Sequence, residues 1–181
     1  MITPQEFIVH WGEDLVKNTP ASLKDVHIPD ISKQFLIEAG LPRWVERLRM
    51  NFARFEDELP TLPDAFPNGY DFPASYVRYR PIGADAVVLL CLDEYKNGSI
   101  YSIDIDEAGV GNSFVNSSVP QLAEFLVALK VVRTEGPPIT YTEEQGQAFT
   151  EELGRKFRSV DPEAMRDPNN YWPGYLEGTL I

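Results

Sequence analysis

The chain predicts an α+β fold, a central and mostly antiparallel sheet flanked by helices. Strand-like patterning is concentrated between Tyr76 and Asn116, in the middle of 181 residues. An Asn97-Gly98 turn inside it joins two apolar strands as a hairpin. Helical stripes with their own start and stop signals lie on either side. The order is therefore helices, sheet, helices. With no internal repeat or low-complexity segment, residues 1–181 read as a single domain.

Thr3-Pro4-Gln5-Glu6 has the form of a capping box with proline at the first helical position. Phe7, Trp11 and Leu15 recur every four residues behind it, predicting a helix to about Lys17, where Asn18-Thr19-Pro20 stops it. Asp30 or Ser32 caps a second helix carrying Phe35, Leu36 and Ala39, closed by Gly40 and Pro42. The mixed stretch from Trp44 to Phe55 gives no clear signal. Four prolines make about 56–75 a long, largely irregular loop.

Residues 76–80 alternate as a strand with one wet face, and Ala86 to Leu92 form an apolar run expected of a strand buried on both faces. Ser99 to Ile105 alternates again, with isoleucines 100, 103 and 105 out of step, so a bulge or strand end is expected near Ser102. Phe114 and Val115 offer a short last strand, and Ser118-Val119-Pro120-Gln121 is a second capping box before the stripe Leu122, Phe125, Leu126, Leu129. After the Gly136-Pro137-Pro138 break, Phe149, Leu153 and Phe157 mark another helix. Asp161-Pro162 opens a turn, and residues 170–178 suggest a final helical segment with Tyr171, Trp172, Tyr175 and Leu176.

Bulk properties narrow the function. Sixteen basic against 28 acidic side chains give a net charge of −12, which repels nucleic-acid backbones and anionic lipid and favours a basic protein partner. No run of about 18 apolar residues is present, so no membrane span is expected. The acidic N-terminus is not a secretory signal, and a lone Cys91 excludes an internal disulfide framework, so the expected location is cytoplasmic.

No catalytic constellation emerges. His10 and His27 lack partners at a meaningful spacing, and one cysteine with two distant histidines makes no zinc site. Cys91 lies in the apolar strand and reads as a core residue. The sequence from Asp104 to Gly109 fails as a calcium loop, with Ala108 at a ligand position and Val115 where the closing glutamate belongs. Glycines 109 and 111 lack the rest of a phosphate-binding loop. The chain is therefore read as a non-enzyme without catalytic residues, metal or cofactor. Asp93, Glu94, Asp104, Asp106 and Glu107 converge when the hairpin folds and are the candidate partner-binding residues, as an acidic docking face or as ordinary solvated acids. Tyr76, Tyr79, Trp44, Tyr171 and Trp172 either anchor such a face or complete the core.

Several separated pieces resemble a known family. Phe35-Leu36 with Gly40-Leu41-Pro42, Cys91-Leu92-Asp93 with Asn97-Gly98-Ser99-Ile100-Tyr101, Phe114-Val115-Asn116-Ser117-Ser118 with Phe125-Leu126, and Asp161-Pro162-Glu163-Ala164 with Tyr171-Trp172 and Leu176-Glu177 follow its order and spacing. The chain is similar to the SUKH superfamily, named for its SMI1/KNR4-type members, and most of all to its SUKH-4 immunity-protein branch. The resemblance implies an α+β fold with a helix-flanked sheet, and a bacterial immunity protein that binds and blocks a cognate toxin. Such toxins are often basic nucleases or nucleic-acid deaminases. A non-enzymatic regulatory scaffold module is the alternative it implies. In the Asn116-Ser117-Ser118 junction, Ser118 is suited to cap the following helix, and Asn116 and Ser117 to bond the turn backbone.

Overall fold

The computed structural model describes residues 1–12, 14–53, 55–68, 70–104, 112–134 and 143–178. Helix α1 (Pro4–Trp11) starts as its sequence demands: the Thr3 hydroxyl accepts from Glu6 N–H while the Glu6 carboxylate accepts from Thr3 N–H. It ends sooner than the Phe7-Trp11-Leu15 spacing suggests. Gly12 (φ 87°) and Asp14 (φ 65°) turn the chain, and Leu15–Val16 becomes strand β1. Helix α2 (Asp30–Glu38) follows without a side-chain cap, Asp30 standing in its first turn. Gly40 (φ 75°) then brings the chain back into β2 (Leu41–Pro42), antiparallel to β1.

The stretch that gave no signal forms two short strands, β3 (Trp44–Val45) and β4 (Met50–Phe52), reversed through Arg49 in the left-handed region. The Pro-rich loop carries one short helix, α3 (Leu62–Ala65), and ends in a 3-10 turn, Ala74–Arg78. The strand expected over 76–80 is displaced to β5 (Tyr79–Ala84). Pro81 and Gly83 sit inside it at a register shift, where the bulge accommodates the missing N–H. Residues 86–88 form no strand. Asp85 Oδ1 accepts from the Val87 and Val88 N–H groups, making them a turn, and β6 (Leu89–Asp93) begins behind it. Asn97 and Gly98, both at positive φ, close the hairpin to β7 (Ser99–Ile103), and β8 (Ser113–Asn116) follows.

Strands β3 to β8 pair in chain order as a six-stranded antiparallel sheet. Helix α4 (Val119–Thr134) opens at Ser118, whose hydroxyl meets the Gln121 side chain at 2.7 Å. Helix α5 (Glu143–Val160), a 3-10 turn (Glu163–Met165) and α6 (Tyr171–Gly178) complete the chain. This is the α+β architecture expected, with α1, α2, α4, α5 and α6 on one sheet face and the short α3 on the other.

Strand alternation assigns the residues to the two faces. Leu90, Leu92, Ile100 and Val115 join the main core with α1, α2, α4, α5 and α6. Within it Phe125 and Phe157 stack at 3.9 Å, and Trp172 packs against both. Cys91 and Ile103 point to the opposite face, where Leu62, Tyr76 and Tyr79 cover them. The isoleucines at 100 and 103 fall out of step because each serves a different core. The interruption lies in the β7–β8 pairing, between Ile100 and Tyr101. Ile105 lies outside the described residues.

Candidate partner-binding surface

The acids at the end of β6 turn inward. Asp93 is fully buried: its Oδ1 accepts from Tyr95 N–H at 2.9 Å, and Arg78 Nε lies 3.3 Å from its Oδ2. The guanidinium also donates to the Tyr79 hydroxyl at 2.6 Å and lies over that ring, and the hydroxyl contact holds the Arg78 pKa above its ordinary value. The Glu94 side chain is 7% exposed, bonded to Arg80 Nε at 3.0 Å and to His27 N–H. Asp93 and Glu94, expected on a solvated docking face, are therefore internal ion-pair partners. The cause is the β5–β6 register, which sets Tyr79 opposite Asp93 and Arg80 opposite Leu92. Stripping the water from a carboxylate is costly, and it is offset here by a facing arginine. Asp104 is half-buried at the end of β7, and Asp106 and Glu107 lie outside the described residues.

The face beneath these residues carries a row of rings. Phe66, Tyr70, Phe72, Tyr76, Tyr79, Tyr101 and Phe114 follow one another with centroids 5.3–6.4 Å apart. Tyr76 and Tyr79 are core, as is Trp172, while Tyr70 is 39% and Trp44 48% exposed. Burial, with the Asp93 charge second, raises the Tyr101 hydroxyl pKa. Phe66 and Phe72 are half-covered, and exposed Asp64 and Asp71 stand beside them in sequence. Tyr76 also exchanges hydrogen bonds with Asn112, immediately after residues 105–111. The Pro-rich segment thus lies against the Asp104 end of the hairpin. Sequence reasoning passed over Glu56, Asp57, Glu58, Asp64 and Asp71, all exposed. The signal was present: no lysine or arginine interrupts residues 55–77.

The C-terminal turn is fixed by a buried polar network. Asp161 accepts from Asn116 Nδ2 (3.1 Å), Ser117 N–H (2.7 Å) and the Ser117 hydroxyl (2.8 Å), and Trp172 Nε1 donates to Asn116 Oδ1 at 3.0 Å. Asn116 and Ser117 therefore tie β8 to the chain 45 residues on, rather than bonding their own turn backbone. A family model of SUKH-4 immunity proteins matches residues 2–178.

The chain belongs to the SUKH-4 immunity protein family.

No curated protein and no solved structure matches it. In this SUKH-4 chain the Phe114–Ser118 and Asp161–Ala164 pieces, separate in sequence, are two halves of one junction. Among the described residues no group of three or more His, Cys, Asp or Glu is arranged to hold a metal ion. None of the described helices is long and apolar enough to cross a membrane. Cys91 is fully buried, and burial pushes its thiol pKa far up, so it stays protonated and unreactive.

Proposed function

We propose that this SUKH-4 protein is an immunity protein that binds a basic toxin, a nuclease or nucleic-acid deaminase, and occludes its active cleft. The observation that carries the reading is the half-exposed aromatic row beside uninterrupted acids, on a chain of net charge −12. Aromatic side chains anchor interfaces at low entropic cost, and surrounding acids steer a cationic partner. A toxin that grips phosphates presents such cations. The docking face then comprises Asp104, Asp106 and Glu107 together with the Asp64–Phe72 stretch. Asp93 and Glu94 hold the frame from inside. The role is binding, with no chemical step assigned to this chain.

The test is isothermal titration of the purified protein with the C-terminal domain of the adjacent reading frame as candidate toxin, its catalytic centre disabled. A 1:1 complex is expected, weakening as salt rises from 50 to 500 mM. Charge reversal by D104K/D106K/E107K is expected to weaken it further. Binding indifferent to both salt and charge reversal contradicts the assigned face.

A further inference from the structure

Three arginines of this acidic chain line one groove. A groove of about 530 Å³ runs between α5, the turn after Asp161 and α6, and Arg155, Arg158 and Arg166 all line it. Arg166 is held by Glu163 at 2.7 Å. Among the described residues, Arg155 and Arg158 make no ion pair and no hydrogen bond. Cations in the last turn of a helix offset its dipole, which accounts for Arg158 but not for Arg155, a turn earlier. Met165, Pro173 and Leu176 give the groove an apolar wall. Gly154 lies between the two walls: a Cβ there would sit 3.6 Å from both Arg158 Nη1 and Leu176 Cδ1, in ordinary contact.

We infer that this groove binds an extended acidic peptide segment of a partner protein, through Arg155 and Arg158. Side chains three apart on a helix stand about 5–6 Å from one another at Cβ. Side chains two apart on an extended strand point the same way, roughly 6.6 Å apart. Two carboxylates at alternate positions of a strand therefore match the two guanidiniums, each able to form a forked, charge-assisted pair. The residue between them, or beyond them, meets the apolar wall. Glu151 and Glu177, also on the groove, repel further acids and limit the match to a short acidic motif. This groove shares no residue with the toxin-facing surface proposed above, so it neither depends on that reading nor supports it.

The probe is a fluorescein-labelled Leu-Asp-Leu-Asp-Leu-Gly peptide, titrated with the full chain in 50 mM salt and followed by anisotropy. Saturable binding is expected, weakened roughly tenfold or more by R155A/R158A and lost when both aspartates of the peptide become asparagine. Both arginines lie on the helix surface, and far-UV circular dichroism checks that the variant is folded. Absent saturation, equal binding of the asparagine peptide, or equal binding by the variant overturns the inference. So does ATP binding more tightly than the peptide at the same arginines, which makes the groove a small-phosphate site instead.

Discussion

Replacing Asp161 with alanine removes the acceptor of three hydrogen bonds at once. Two come from Ser117, which is part-buried, and one from the buried Nδ2 of Asn116. Hydrogen bonds to a charged group contribute about 1.5–3 kcal/mol each when one partner is deleted. A simple sum overstates the loss. The variant no longer buries a carboxylate, and water reaches the Ser117 groups. The unpaired Asn116 amide is the larger residue, at about 1–3 kcal/mol. Together these put the cost near 4 kcal/mol, against a typical total of about 5–15 kcal/mol. For a chain of this length that lowers the melting temperature by roughly 8–16 °C. Asp161→Asn keeps the shape and one acceptor but turns a donor toward other donors, so about half that loss is expected. Urea unfolding followed by circular dichroism reads the difference, and Asp25→Ala, an exposed acid, is the control, expected within about 0.5 kcal/mol of the parent. A cost below about 1 kcal/mol for Asp161→Ala, at unchanged m-value, refutes the claim that this carboxylate locks β8 to the C-terminal helices.

Three further outcomes follow from other parts of the structure. Gly40→Ala drives a Cβ to 2.1 Å from the Val16 carbonyl oxygen at φ 75°, so loss of soluble protein or more than about 3 kcal/mol is expected. Gly12→Ala, at φ 87° and ψ −131° with nothing within 4 Å, carries backbone strain alone and is expected to cost about 1–3 kcal/mol, less than Gly40→Ala; equal costs in thermal melts contradict the close-approach argument. Cys91 resists a thiol reagent at pH 8 in the native protein and reacts at once in 6 M guanidinium; fast native labelling shows that the second sheet face is open. Glu6 has its pKa lowered below the ordinary 4.5, chiefly by the Thr3 N–H bond. Its stabilising effect is therefore present above pH 4.5 and lost as pH falls through the lowered value. The stability gap between the parent and Glu6→Gln should close in acid, and a gap independent of pH removes the capping box as its cause.

Much of the fold is legible in the sequence because its signals are local. The caps at Thr3 and Ser118, the Asn97-Gly98 turn and the stripes of α4 and α5 each need only a few neighbouring residues. What failed depends on partners distant in the chain. The strand expected over 76–80 runs instead over 79–84, where a bulge against β6 admits Pro81 and Gly83. Val87, in an apolar run, is exposed because Asp85 bends the backbone there into a turn. The candidate site was harder still. Asp93 and Glu94 look like surface acids until pairing places Arg78 and Arg80 beside them. Arg78 and Arg80, two positions apart where the 3-10 turn meets β5, were the available hint. The acidic aromatic segment was visible as composition, but only folding lays its rings across the sheet.

The decisive experiment is co-expression: the C-terminal domain of the large reading frame adjacent to this gene, taken as the candidate toxin, is induced with and without the protein. Growth arrested by the candidate toxin is expected to resume when this chain is present, and the two are expected to co-purify as a complex. Continued arrest, with both proteins soluble and no complex recovered, contradicts the proposed function.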